Sequence, residues 1–106
     1  MLDIFNIQPA KETVVCKDGF SMSVQASISH YCSPKLNGKN NTYSSVEIGF
    51  PSEIEELLIE YAENPDKPTK TVYAYVPAKL TLDIIEKHGG MISGELPKLE
   101  ILEQGE

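Results

Sequence analysis

Hydrophobic and polar residues alternate most regularly between Phe20 and Cys32. A period of two over thirteen residues predicts a β-strand with one buried face across residues 20–32. The buried face would carry Phe20, Met22, Val24, Ala26, Ile28, His30 and Cys32, and the polar face Ser21, Ser23, Gln25, Ser27, Ser29 and Tyr31.

A β-hairpin is predicted where the apolar run that ends at Cys16 meets this strand through Lys17-Asp18-Gly19. A two-residue loop would place Val14 on the serine side. A three-residue loop, with Gly19 in the left-handed region, pairs Val14 with Met22 and keeps the apolar face intact. The three-residue register is therefore predicted.

The rest of the chain predicts strands alternating with helices. Residues 43–50 and 70–76 have the alternation of strands. The first would have Val46, Ile48 and Phe50 facing the core, and the second Val72, Ala74 and Val76 on one side. Ser52 and Glu55 form a capping box for a helix that runs to about Glu63. The buried face of that helix would carry Ile54, Leu57, Leu58 and Tyr61. A second helix is predicted over 78–88, with Leu80, Ile84 and Ile85 buried and Gly89 as its stop. A short strand over 2–5 and an edge strand at Leu99 and Ile101 complete the predicted elements.

This order of elements predicts an α+β fold: an antiparallel sheet of about four to five strands with two α-helices packed on one face. The length favours a single domain over residues 1–106, with a frayed tail at 104–106.

The charge is negative and unevenly distributed. The chain has 16 acids and 9 basic residues, all lysine, for a net charge of −7. Residues 47–106 hold thirteen of the acids and five of the lysines. A negative field repels nucleic acid and anionic lipid, and the absence of arginine removes the best phosphate ligand. Direct binding of nucleic acid or membrane is therefore not expected.

The start of the chain carries an acid rather than a basic signal region, which favours a cytoplasmic location with Cys16 and Cys32 reduced. No catalytic motif is present, and His30, Cys32, Cys16 and His88 lack the paired spacings of a metal site. We therefore expect no enzyme activity, no metal and no cofactor.

The strongest candidate for function is the acidic face of the first predicted helix, formed by Glu53, Glu56, Glu60 and Glu63. Its ordinary explanation is a solvated surface that keeps the protein soluble. Its functional interpretation is a stripe that imitates nucleic acid and binds a partner protein with a basic, nucleic-acid-binding surface.

An alternative site is a small-ligand module, such as a nucleotide sponge, on the serine side of the sheet. It would use Ser23, Gln25, Ser27, Tyr31, Lys35 and Lys39. A solvated outer face explains the same serines without a ligand. A structural or assembly protein, including a homodimer, is the third hypothesis.

Several phrases resemble small accessory proteins encoded by phages and prophages of gut and other low-GC bacteria. They are residues 20–27, 31–35, 46–52, 72–77 and 88–90, so the resemblance covers about residues 12–90. It implies a protein that binds and inhibits a host or phage component, as anti-CRISPR and other anti-defence proteins do. It carries over no catalytic residue.

Overall fold

Five short strands and two helices make up the part of the chain that the computed structural model describes, residues 10–37 and 41–102. Neighbouring strands are all antiparallel, in the order β4-β3-β2-β1-β5. The α+β class is thus confirmed, whereas the expectations for residues 2–5 and 104–106 lie outside the described residues. The elements are β1 (Val14–Cys16), β2 (Ser21–Gln25), β3 (Ser45–Gly49), a 3₁₀ helix (Glu56–Tyr61), β4 (Val72–Pro77), α1 (Ala78–Lys87) and β5 (Met91–Ser93).

The predicted hairpin register is confirmed. Val14 pairs with Met22, and the Cys16 amide donates to the Phe20 carbonyl at 2.8 Å. Gly19 has a φ of +96°, the left-handed conformation that the three-residue loop requires. Val14 and Met22 are both fully buried, which explains why this register is stable.

The hydrophobic core lies between the sheet and the two helices. In α1, Ile84 and Ile85 are buried and Leu80 is partly buried, as predicted, and Gly89 follows the helix with a φ of +96°. Burial of each large apolar side chain contributes about 1.5–3 kcal/mol. The core side chains with no exposed surface include Val14, Met22, Val24, Val46, Ile48, Leu58, Tyr73, Val76 and Ile84.

The strand predicted over 20–32 is shorter in the structure, because β2 ends at Gln25. The Ser27 hydroxyl accepts a hydrogen bond from the Ser29 amide at 3.1 Å, and the His30 amide donates to the Ser27 carbonyl. These local bonds compete with sheet pairing and turn the chain. The predicted burial of Ile28 is therefore wrong, since this side chain is exposed.

The predicted faces of β4 are also wrong, because the strand contains a bulge. Val46 pairs with Val76, whereas Ile48 pairs with Tyr73, so two residues of β4 lie opposite one residue of β3. An extra residue breaks the alternation of faces. Tyr73 is consequently buried, and the extra position leaves Tyr75 exposed with a φ of +53°.

The first predicted helix is a short 3₁₀ helix instead of an α-helix over 52–63. Ser52 does not cap it: the Ser52 hydroxyl accepts from the Ser21 amide at 2.9 Å, and the Ser52 amide donates to the Ser21 carbonyl at 2.8 Å. Glu55 is the capping residue, with its carboxylate 3.1 Å from the Leu57 amide. Ser52 is held against β2, so the helix starts later than the capping box predicts.

The edge strand predicted at Leu99 and Ile101 is replaced by β5, which pairs with β1. Leu99 forms only an isolated bridge with Tyr43, and Ile101 is exposed. Gly94 follows β5 with a φ of +103°, and a Cβ atom there would lie 2.2 Å from the Thr13 carbonyl oxygen. Only glycine fits this close approach.

Candidate functional site

The four predicted acidic residues, Glu53, Glu56, Glu60 and Glu63, are all exposed, and we call them the acidic surface. None of them forms an ion pair with any residue in the described ranges. A 3₁₀ helix has about three residues per turn, so Glu56 and Glu60 point about 120° apart. The carboxylates therefore follow one exposed segment but do not form the straight stripe that an α-helix would give.

Three apolar side chains are exposed in the same segment of chain, and we call them the apolar patch. Phe50, Ile54 and Leu57 expose 59%, 61% and 44% of their surface, so the predicted burial of all three is wrong. Phe50 has a φ of +49°. That conformation costs a bulky residue about 1–2 kcal/mol, and such costs are concentrated at functional sites. Apolar side chains that a partner can reach can supply the buried centre of a protein interface.

Two residues of the predicted ligand site, Ser23 and Gln25, are used inside the fold. The Gln25 side chain accepts from the Lys11 amide at 2.9 Å and donates to the Lys11 carbonyl at 2.9 Å. It also donates to the Ser23 hydroxyl at 3.0 Å. These bonds hold the chain that precedes β1 against β2, so the polar face is partly covered by the protein itself.

Ser27 and His30 resemble part of a hydrolase triad but cannot act as one in this structure. The Ser27 hydroxyl lies 2.6 Å from His30 Nδ1, and His30 Nε2 lies 3.9 Å from a Glu47 oxygen. Ser27 is only 2% exposed, however, so a substrate does not reach it. The Cys32 thiol donates to the Ser27 carbonyl at 3.2 Å, and burial raises the pKa of Cys32 and keeps it protonated.

Tyr31 and Lys35 are the predicted ligand-site residues that remain on the surface together. The Lys35 ammonium lies 5.3 Å from the centroid of the Tyr31 ring, a cation–π distance, and the Tyr75 ring is 6.0 Å from Tyr31. Lys39 falls outside the described residues. Of the predicted ligand site, Ser23 and Gln25 are thus hydrogen-bonded to each other, Tyr31 and Lys35 are in contact on the surface, and Ser27 is buried.

The most connected polar group in the described part of the chain is a charged cluster of Asp18, Glu55, Lys87 and His88. His88 Nδ1 lies 2.7 Å from Asp18 Oδ2, and His88 Nε2 lies 2.7 Å from Glu55 Oε1. Lys87 Nζ donates to Glu55 Oε2 at 2.8 Å. The cluster links the β1–β2 turn, the start of the 3₁₀ helix and the end of α1.

Electrostatics favour the ionised forms of the residues in this charged cluster. Burial disfavours the imidazolium, but the hydrogen bonds to Glu55 and Asp18 outweigh it and raise the pKa of His88. Burial likewise disfavours the Glu55 carboxylate, but hydrogen bonds from Lys87, His88 and the Leu57 amide lower the pKa of Glu55. Phe20 stacks on the imidazole with ring centroids 4.0 Å apart, which also favours the cation.

The contacts of the charged cluster hold the β1–β2 turn and the end of α1 in position and leave no free catalytic base. Both ring nitrogens of His88 are bonded to carboxylates, so the ring has no free nitrogen to act as a base. The Asp18 amide also donates to the His88 carbonyl at 3.1 Å, which satisfies a carbonyl at the end of α1. This cluster is not evident from the sequence, because each member has a local explanation as a turn, capping or helix-end residue.

Residues 10–37 and 41–102 contain no group of three or more His, Cys, Asp or Glu side chains arranged to hold a metal ion. Within the same ranges, neither helix has the length and apolar character needed to cross a membrane. No protein family, curated protein or solved structure significantly matches this chain.

Proposed function

We propose that this protein is a phage-type accessory protein that binds a host or phage protein through its acidic surface and inhibits it. The partner we propose has a basic surface with which it handles nucleic acid, and the four carboxylates take the place of phosphates there. The observation that supports this proposal is the exposure of Glu53, Glu56, Glu60 and Glu63 without a described ion-pair partner, beside the apolar patch.

The two parts of the surface would contribute differently to binding. Exposed carboxylates attract a basic partner over roughly 10 Å at 0.1 M salt and speed association. Phe50, Ile54 and Leu57 would supply the apolar contact that slows dissociation. Solubility alone explains the carboxylates, but it gives no reason to hold an exposed phenylalanine in a strained conformation.

The charged cluster holds the residue between two members of the acidic surface in place. Glu55 lies between Glu53 and Glu56, and its carboxylate is bound by Lys87 and His88. Fixing Glu55 fixes the start of the 3₁₀ helix, and pre-organisation lowers the entropy lost on binding. The cluster therefore has a structural role in the proposed function.

The proposal is for a binding protein rather than an enzyme. A nucleotide-binding module has less support, because Ser23 and Gln25 bond to each other and to Lys11. A thermal-shift assay with a nucleotide panel tests it, since a ligand at one hundred times its dissociation constant adds about 2.7 kcal/mol. Light scattering tests the assembly hypothesis.

Affinity capture from a bacterial lysate tests the proposal directly, with two variants of equal charge. The first changes Glu53, Glu56, Glu60 and Glu63 to lysine. The matched control changes four other exposed carboxylates to lysine, those of Glu12, Glu86, Glu95 and Glu100.

Both variants move the net charge from −7 by the same amount, so only the location of the charge differs. We expect the wild type and the control to capture a common nucleic-acid-binding protein at low salt, and the first variant to lose it. Equal capture by both variants would rule out the acidic surface as the contact.

A further inference from the structure

His88 contacts one carboxylate with each of its two ring nitrogens, and these two contacts together need two protons. Nδ1 lies 2.7 Å from Asp18 Oδ2, and Nε2 lies 2.7 Å from Glu55 Oε1. An ionised carboxylate is only an acceptor, and a neutral imidazole has a single N–H. The imidazolium therefore satisfies both contacts, whereas the neutral ring can keep only one of them.

The two carboxylates differ in what the loss of this contact would cost. The Glu55 side chain is 1% exposed, so without a proton on Nε2 its Oε1 would be a buried, charged oxygen that has lost its hydrogen bond. The Asp18 side chain is 48% exposed, so its Oδ2 can accept from water instead. Asp18 Oδ1 meanwhile keeps its hydrogen bond from the Phe20 amide at 2.8 Å. The remaining proton of a neutral ring is therefore favoured on Nε2, facing Glu55.

We propose that His88 is a pH-sensitive switch that acts on the β1–β2 turn: loss of the Nδ1 proton to solvent releases the Asp18 carboxylate into water, while Nε2 keeps its proton and its contact with Glu55. The Asp18 amide still donates to the His88 carbonyl at 3.1 Å and the Lys17 amide to the Gly90 carbonyl at 2.9 Å, because neither bond involves the ring. The turn thus stays beside α1 and loses only its side-chain contact. This switch does not depend on the proposed function, and it leaves the start of the 3₁₀ helix in place.

The groups around the ring set the direction of the switch. They are Asp18 and the exposed Lys17 of the turn, Glu55 at the start of the 3₁₀ helix, Lys87 of α1, which binds Glu55, and Cys16 of β1. Burial and the nearby Asp18 charge raise the pKa of the Cys16 thiol and favour its uncharged form. Burial disfavours the imidazolium, but the hydrogen bonds to Glu55 and Asp18 outweigh it and raise the pKa of His88 above its ordinary value of 6.5. The Asp18 contact is therefore made at low pH and released as the pH rises through that higher value.

Long-range ¹H–¹⁵N NMR spectra of the full chain, recorded from about pH 6 to alkaline pH, identify the ring nitrogen of His88 that keeps its proton. We expect the Nε2–H form above the transition. The Asp18 carboxyl carbon should shift with the same midpoint, and the Glu55 carboxyl carbon and the Leu57 amide should shift much less. An Nδ1–H form, or a larger shift at Glu55 than at Asp18, would overturn the assignment of Asp18 as the released group. A ring that stays doubly protonated until the protein unfolds would overturn the switch itself.

Asp18→Asn, with Asp83→Asn as the matched control, tests the contact from the other side. Each variant removes one negative charge from a side chain that is 48% exposed, but of the two residues only Asp18 contacts the His88 ring. An opposite charge close to a histidine favours its protonated form. The midpoint of the His88 transition should therefore move to lower pH in Asp18→Asn and stay close to that of the wild type in Asp83→Asn. Equal midpoints in the two variants would contradict the proposed switch.

Discussion

Glu55→Gln is the substitution that tests the charged cluster most sharply. Gln has the shape of Glu, so the change removes the charge and leaves the packing nearly intact. The Glu55 side chain is only 1% exposed, and its two oxygens accept from His88, Lys87 and the Leu57 amide. A glutamine has one acceptor oxygen, so its NH₂ group would face donors that it cannot bind.

The expected loss of stability follows from these contacts. Breaking a buried ion pair from one side costs about 3–5 kcal/mol. Here Asp18 still contacts His88, and the half-exposed Lys87 can turn to water, so we expect about 2–3 kcal/mol. For a domain of this length that corresponds to a melting temperature lower by about 10 °C.

Urea and thermal unfolding at pH 6 measure this loss, with Glu56→Gln as the matched control. Glu56 is the next residue along the chain and is exposed, so its substitution should change stability by less than about 0.5 kcal/mol. Equal stability of the two variants would refute the description of the charged cluster as a buried link between three elements.

Three further predictions test other parts of the structure. Because His88 has a raised pKa in the folded state, its contribution is complete below about pH 6.5 and is lost as the pH rises through the folded-state value, so stability should fall there by at most about 1.4 kcal/mol per pH unit. Urea unfolding across this pH range should show that fall in the wild type but not in His88→Gln. Gly94→Ala should lower the free energy of unfolding by about 3 kcal/mol or more, because its Cβ atom would clash with Thr13. Gly19→Ala, which has open space around it, should lower it by only about 1–2 kcal/mol. Thermal unfolding of both variants measures the difference. Phe50→Gly should relieve backbone strain, so stability should hold or rise by up to about 1 kcal/mol while capture of the partner weakens; a clear loss of stability would contradict a binding role for Phe50.

The hairpin and α1 could be predicted from the sequence because their determinants are local. The Lys17-Asp18-Gly19 turn and the burial of Val14 and Met22 decide one register within about ten residues. In α1, the spacing of Ile84 and Ile85 and the stop at Gly89 are likewise contained in the element itself.

The charged cluster could not be predicted in the same way, because its members are distant in sequence. Glu55 lies 33 positions from His88, and Asp18 lies 70 positions from it. From the sequence alone, a local capping role accounts for Glu55. Only the folded structure shows that His88 and Lys87 bind its carboxylate. The late start of the first helix likewise depends on contacts between Ser52 and Ser21, which are distant in sequence.

The β4 bulge shows a second limit of pattern reasoning. Strict alternation predicts that Val72, Ala74 and Val76 share a face, but one extra residue in the pairing with β3 reverses the assignment for Tyr73. A bulge depends on the partner strand, and the sequence of β4 alone does not contain that information.

The measurement that tests the proposed function most directly is displacement of nucleic acid from the captured partner. The purified partner is loaded with labelled DNA or RNA and titrated with the wild type and the two charge-reversal variants at low and high salt. We predict that the wild type and the control variant release the nucleic acid, that high salt weakens the effect, and that the variant of Glu53, Glu56, Glu60 and Glu63 does not release it. Release by that variant at wild-type concentrations, or no release by the wild type, would contradict the proposal.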